Sequence, residues 1–323
     1  MILIATIVVS LLFTLVWRVD KTTTLRWAHV YELSTPYHQQ ALQAAREFEV
    51  ITNGRYRIRV YPASALGNEA AINESLALGA IDIINTGASF VSNEYPPIAV
   101  SEFPYAIQDF VHWQAYRDSP LFEEIASDFG RATDSKVIGL TYYGFRHVTA
   151  NKEILHPDDM RNLKIRVPNA PMFLILPHAT GANASPMPFA EVYLALQQGV
   201  VDAQENPLTT IRFKRLHEVQ SHINLTGHMM PSILTLVSQR TLDDLGEKVA
   251  TLLQDVVDQA ARRASQEIAA SEEELIAWFT DEGIQVNEVD RRAFRESVDA
   301  HFKDRQYPFD ELYLTQLRAL ATQ

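Results

Sequence analysis

Cysteine is absent from the 323 residues. That excludes disulfides, cysteine-ligated zinc, iron–sulfur clusters and a cysteine nucleophile together. It leaves the compartment open, because a chain this long builds its core without cross-links. Positive charge is scarce: 28 Lys and Arg stand against 40 Asp and Glu, a net charge of −12. Such a balance argues against nucleic acid and against electrostatic attachment to anionic lipid. Catalytic templates are missing as well, with no G-x-S-x-G, H-E-x-x-H, P-loop or G-x-G-x-x-G. The ten histidines lack metal-ligand spacing. No metal site, no cofactor and no enzymatic activity are expected. What is present is an ordinary globular composition, 47% hydrophobic and 21% charged, about two domains long.

Met1 to Trp17 carries no charge, and Arg18, Asp20 and Lys21 close it. It is the only apolar run of near-spanning length, so residues 1–23 are read as a signal or anchor segment and the rest as soluble. No Lys or Arg precedes the run and no A-x-A site follows it. An uncleaved anchor and a signal whose basic start lies upstream both fit. A buried helix and a cytoplasm-facing anchor are the alternatives.

The body reads as α/β. Leu25–Val30 alternates as a strand, and Ser34-Thr35-Pro36 opens a helix that runs to about Thr52. Asn53-Gly54 turns into the strictly alternating strand 55–61. Asn68-Glu69 begins a second helix, Gly79 stops it, and Ala80–Ile84 is an apolar strand. Further on, Lys164–Val167 is a strand, Glu191–Gln198 a helix stopped by Gly199, and Val200–Ala203 a strand. Leu76-x-x-Gly79-x-Ile81-Asp82 and Leu196-x-x-Gly199-x-Val201-Asp202 share one grammar, which suggests two similar lobes with a ligand cleft between them. Helical periodicity from about Leu245 to Asp281 predicts a helix of ~50 Å lying across both lobes, or two packed helices with a break near Ser265 or Ser271. Lobe 1 is assigned residues 24–145 and 233–270, lobe 2 residues 146–232 and 271–310, and 311–323 is set apart as a tail.

Two arginines near strand ends stand out in this acidic chain. Arg166 lies between Ile165 and Val167, one residue before the Pro168 break. There its planar fork can meet a carboxylate, on a solute or on the protein itself. Arg146 sits in an aromatic segment, Tyr142-Tyr143-Gly144-Phe145, that leaves the first lobe for the second. Gln204-Glu205-Asn206-Pro207 follows a strand and reads as a cleft-mouth group or a plain Asn-Pro turn.

Five blocks then appear in order: Ala65–Glu69, Arg146–Asn151, Leu163–Ala170, Pro186–Gln197 and Val201–Pro207. Together they resemble the extracytoplasmic solute receptors of tripartite ATP-independent periplasmic (TRAP) transporters, over nearly all of residues 25–302. The branch with sialic acid and sugar-acid receptors is the most similar. The resemblance implies a two-lobed periplasmic-binding-protein (Venus flytrap) fold with a long helix spanning both lobes. It implies a periplasmic receptor that delivers an organic acid to small and large membrane subunits. Arg166 would be the carboxylate clamp, Arg146 a second cation on the solute, and Asn206 a hydrogen-bond partner of the carboxylate. Phe189 would pack on the solute, with Asn169 and Glu69 as secondary polar contacts. Sialic acid receptors carry an asparagine where this chain has Val30 and a carboxylate where it has Gly87. Here the first strand ends in His29-Val30-Tyr31-Glu32, which puts His29 and Tyr31 among the candidates. A uronate or aldonate is therefore expected ahead of sialic acid, a sulfonate or a C4-dicarboxylate. A sensing module for a kinase and an enzyme on the same scaffold are the readings from other classes.

Overall fold

A computed structural model describes residues 22–322. The export-segment reading lies outside the described residues. Among them, no helix is long and apolar enough to cross a membrane.

The first part of the chain contributes β1 (Thr23–Ala28), α1 (Pro36–Ile51), β2 (Tyr56–Tyr61), α2 (Glu69–Ala77), β3 (Ile83–Gly87), α3 (Phe110–Arg117), α4 (Pro120–Thr133) and β4 (Ser135–Tyr142). The second contributes β5 (Arg146–Ala150), β6 (Lys164–Val167), α5 (Ile175–Thr180), β7 (Asn183–Pro186), α6 (Val192–Gln197), β8 (Ala203–Pro207), α7 (Leu208–Phe213) and β9 (His222–Met229). Then follow β10 (Ser232–Ser238), α8 (Gln239–Leu245), α9 (Glu247–Asp281), β11 (Gln285–Asn287), α10 (Arg291–Phe302) and α11 (Glu311–Ala319). These build two sheets, ordered β2-β1-β3-β10-β4 and β11-β9-β5-β8-β6-β7.

Local chemistry accounts for the elements. In α1, Pro36 occupies the first turn, and Tyr37, Ala41, Ala44, Ala45 and Phe48 form the buried stripe that a 3.6-residue period allows. On the edge strand β2, Ile58 faces inward while Arg57 and Arg59 point out, which blunts the open edge. The long helical pattern resolves into one continuous helix, α9, of 35 residues. Ser265 and Ser271 do not break it, because their hydroxyls donate back to Ala261 O and Ile268 O. Residues 311–319, set apart as a tail, form a helix that buries Leu314 and Leu317.

The two similar sequence units hold equivalent hydrogen bonds. After α2, Gly79 turns at positive φ, Ala80 N donates to Ser75 O, and Asp82 exchanges bonds with the backbone of Arg26 on β1. After α6, Gly199 turns alike, Val200 N donates to Ala195 O, and Asp202 exchanges the same bonds with Lys164 on β6. Each aspartate thus pins the entry of a strand to its parallel neighbour: Trp27 pairs with Ile83, and Ile165 with Ala203. This corrects both strand positions. They begin about three residues later than the apolar runs 80–84 and 200–203, because the aspartate turn uses up the first of those residues.

Two adjacent strands pass between the sheets. Tyr142 pairs with Ser232 in one sheet and Arg146 with Met229 in the other, and Tyr143 N donates to Pro231 O between them. Helix α9 fastens to this crossing. Glu272 accepts from Tyr142 Oη at 2.9 Å and from Phe145 N at 3.2 Å, and Ser265 Oγ accepts from Tyr142 N at 2.9 Å. Gly144 lies at φ +97°, and a Cβ there would stand 3.1 Å from Glu272 Oε1 and 3.2 Å from Pro207 Cβ. Gly144→Ala is therefore expected to cost about 1–3 kcal/mol, read as a lower urea midpoint at unchanged slope.

Candidate functional site

At the crossing, the carboxyl ends of β1 and β3 face those of β6 and β8, and a small cavity of about 30 Å³ lies between them. Tyr31, Glu69, Gly87, Phe90 and Glu102 line it from the first-sheet side; Arg146, Arg166, Pro168, Phe173, Phe189 and Asn206 line it from the other. A larger groove of about 630 Å³ opens on the outer flank near Leu76, Phe129 and Leu236. Its only cation, Arg131, is exposed and bonded to Asp128, so the chemistry belongs to the smaller space.

Arg166 is 1% exposed. Parallel pairing of β6 with β8 sets Arg166 against Gln204, and Nε and Nη2 both donate to Met187 O, at 3.1 and 2.7 Å. Nη1 is buried without a hydrogen-bond partner, and among the described residues no carboxylate forms an ion pair with this guanidinium. Burial, with the like charge of Arg146 adding to it, lowers its pKa to about 10, so it stays a cation at neutral pH.

Arg146 is differently placed from the expectation. It is bidentate to Glu205: Nε bonds Oε2, Nη2 bonds Oε1 at 2.7 Å, and Nη2 also donates to Glu205 O at 2.5 Å. Its guanidinium lies over the Phe173 ring, 4.9 Å from the centroid. Burial works against charge on Glu205, but Arg146 and a hydrogen bond from His228 overcome it and hold the carboxyl below its usual range. Arg146 thus borders the cavity as an already neutralised cation. The counter-ion was visible in sequence as the residue before Asn206, but pairing of β5 with β8 was needed to bring the two together.

Asn206 is fixed by a buried relay. Its amide donates to Gln204 Oε1 at 2.5 Å, Gln204 donates to Thr149 Oγ1 at 2.9 Å, and Thr149 donates to Gln220 Oε1 at 3.1 Å. Phe189 packs from the side, with Lys214 Nζ 5.0 Å above its ring and bonded to Glu32 at 2.7 Å. Glu69 is the first residue of α2, whose N-cap Asn68 accepts from Ala71 N. Burial raises the pKa of the Glu69 carboxyl, and its own backbone N–H and the charges of Arg166 and Arg146 only partly offset this.

Two candidates do not reach the cavity. His29 Nδ1 accepts from Tyr31 N and Nε2 donates to His38 Nδ1 at 3.0 Å. Burial lowers its pKa to about 3, so it is a neutral structural residue that positions Tyr31. Asn169 follows Pro168 but is exposed and points away. Sequence reasoning missed Glu102, which no motif marks. Its Oε1 and Oε2 accept from Ala88 N at 3.0 Å and Ser89 N at 2.9 Å. Phe90 follows in the same turn, 3.3 Å from where a Cβ on Gly87 would be. A side chain at that position would press on this ring and stand 3.7 Å from Glu102 Oε1.

The family model for bacterial extracellular solute-binding protein, family 7, matches residues 27–307. The chain belongs to this family, the TRAP solute-binding proteins. The sialic acid-binding periplasmic protein of Vibrio cholerae is 28% identical over 302 residues, 94% of each chain. A TRAP periplasmic solute-binding protein of Roseobacter denitrificans, solved with bound L-galactonate, is 28% identical with a TM-score of 0.86 over 93% of this chain and 99% of that one. Its counterpart from Polaromonas sp. JS666, bound to D-erythronate, is 28% identical with a TM-score of 0.85 over 92% and 98%. The family is one of binding receptors, and the two-sheet architecture with its long helix is theirs.

Glu102 supplies a pH test of the site. Burial outweighs its two backbone donors and the nearby Arg146, and the Glu205 charge adds to the burial, lifting its pKa to about 7 from 4.5. The folded state then holds its proton more tightly than the unfolded chain. Stability falls as pH rises from about 4.5 to about 7, by roughly 3 kcal/mol at most. Relative to Glu102→Gln, the wild type is expected to lose about 2–3 kcal/mol between pH 5 and pH 8 in paired urea titrations. Parallel pH profiles would contradict it.

Proposed function

We propose that this protein is the solute receptor of a TRAP transporter and captures a sugar acid, an aldonate or uronate, by its carboxylate. One observation carries the reading: a buried guanidinium, Arg166, with one donor edge unsatisfied at a cavity wall. Burying an unpaired cation costs several kcal/mol, and a bound carboxylate supplies both the missing charge and the hydrogen bond. Asn206 fixes the carboxylate plane, and Phe189 with Tyr31 covers the carbon chain. Arg146 contributes through field and position, since Glu205 holds its fork.

The residue groups 24–145 with 233–270 and 146–232 with 271–310 act as two lobes in this proposal. The cavity of about 30 Å³ has room for two or three waters. A four- to six-carbon acid is larger, so it enters an open form, and the lobes then reclose around it by hinging at residues 143–145 and 230–231. The closed complex docks on the membrane subunits in the periplasm. The Met1–Trp17 segment exports the chain or tethers it to the inner membrane, and no chemical step follows binding.

Calorimetric titration with a panel of aldonates and uronates tests the reading. Arg166→Ala is expected to weaken the best binder by about 2–5 kcal/mol, and Arg166→Lys to lose much of the affinity, since an ammonium cannot offer the fork. Near wild-type affinity in both variants would remove the clamp.

A further inference from the structure

We infer that the cavity selects acids with a single carboxylate and rejects dicarboxylates of the same length, because Glu69 and Glu102 stand on the wall opposite Arg166. This rests on the carboxylate clamp proposed above.

The inference follows from which charges on the wall are already balanced. Two cations border the space, and Glu205 neutralises one of them, Arg146, with both carboxylate oxygens. Lys214 lies behind Phe189 and is held by Glu32. Among the described residues lining the cavity, Arg166 is therefore the only cation without an anion, and one solute carboxylate satisfies it. The far side offers the second carboxylate of a diacid no cation. It offers Glu69, which feels Arg166 and Arg146 across the cavity but is ion-paired with neither, and Glu102, each of whose oxygens already accepts one backbone N–H, from Ala88 and Ser89. A like charge placed against them in a water-poor space is repelled. A hydroxyl in the same place is welcome, because both carboxyls keep lone pairs that accept its proton. The remaining wall is the rings of Tyr31, Phe90, Tyr143 and Phe173 with the Ser232 hydroxyl, which give a second carboxylate neutral O–H donors and no cation.

Matched acids that differ in one terminal group test this: galactonate against galactarate, and erythronate against meso-tartrate, by calorimetry at pH 8. That pH lies above the value of about 7 to which burial lifts Glu102, so the Glu102 carboxyl carries charge. The wild type is expected to bind the aldonate of whichever pair it recognises at least about 100-fold more tightly than the aldarate. Glu69→Gln and Glu102→Gln should each shrink that gap about tenfold while aldonate affinity changes less. Circular dichroism checks that both variants fold. An aldarate binding within a few-fold of its aldonate overturns the inference and leaves the clamp standing, as does a gap that neither glutamine variant alters. Aldonate binding that survives Arg166→Ala, or no binding of either acid type, overturns the clamp reading itself and this inference with it.

Discussion

A guanidinium sealed from water without an anion is the constraint on which the rest of this structure turns. Desolvating Arg166 costs several kcal/mol, and the protein returns only part of that through the Met187 carbonyl. The deficit is tolerable because it is confined to one nitrogen and held by rigid elements. Strand β6 is sandwiched between β7 and β8, so the arginine cannot swing out to solvent. An enclosed charge that cannot relax is preorganised for a ligand: little reorganisation is needed when the carboxylate arrives. Arg146 shows the contrasting solution. Equally buried, it takes Glu205 as an internal partner and becomes part of the wall.

The same constraint explains the emphasis on the crossing. In the proposed mechanism the two sides separate to admit a solute larger than the cavity, and the crossing between them is short. Two strands continue from one sheet into the other with a single bridging bond, Tyr143 N to Pro231 O. Glu272 of α9 ties both sides of that passage, through Tyr142 Oη and Phe145 N. The helix therefore braces the crossing from outside while Gly144 supplies the backbone conformation inside it. Beside the crossing, Ser89 Oγ accepts from Met172 N, Tyr37 Oη meets Thr210 Oγ1 and Lys214 pairs with Glu32, so these contacts also hold the two sides together.

Much of this was legible in the sequence, and the failures share a cause. Period-2 and period-3.6 patterns located α1, β2 and α9, because each buries one face against a single layer. The paired Leu-x-x-Gly-x-(Ile/Val)-Asp units were legible as kin, and their equivalent aspartate bonds to Arg26 and Lys164 explain the likeness. The strands after them were placed too early, because β8 is built from Gln204, Glu205 and Asn206 and is buried throughout. Polar residues become interior when every group has a partner, and those partners, Thr149 and Arg146, lie more than fifty residues away. Arg166 was recognisable from its place at a strand end. The neutralisation of Arg146 depends on pairing of strands far apart in sequence, while the turn of His29 onto His38 and of Glu102 onto Ala88 and Ser89 depends on loop geometry that no helix or strand period encodes.

Charge is divided between the two sides in a way that bears on when the cavity closes. The second sheet supplies Arg146, Glu205 and Arg166, and so carries one net positive charge into the space. The first sheet supplies Glu69 and Glu102, both pushed towards their neutral forms by burial. Closing without a solute brings a bare cation towards two poorly solvated acids, none of them in contact. That is attraction at a distance with desolvation charged against it, a weak drive. On the proposed reading a solute carboxylate changes the balance, because it would complete Arg166 by direct contact while its hydroxyls would complete the acids. Each side then has its polar groups satisfied only when both grip the same molecule. Since a ligand shifts a conformational equilibrium only by its differential affinity for the two states, this division of charge would, in the proposed mechanism, make the solute itself the element that stabilises the closed form.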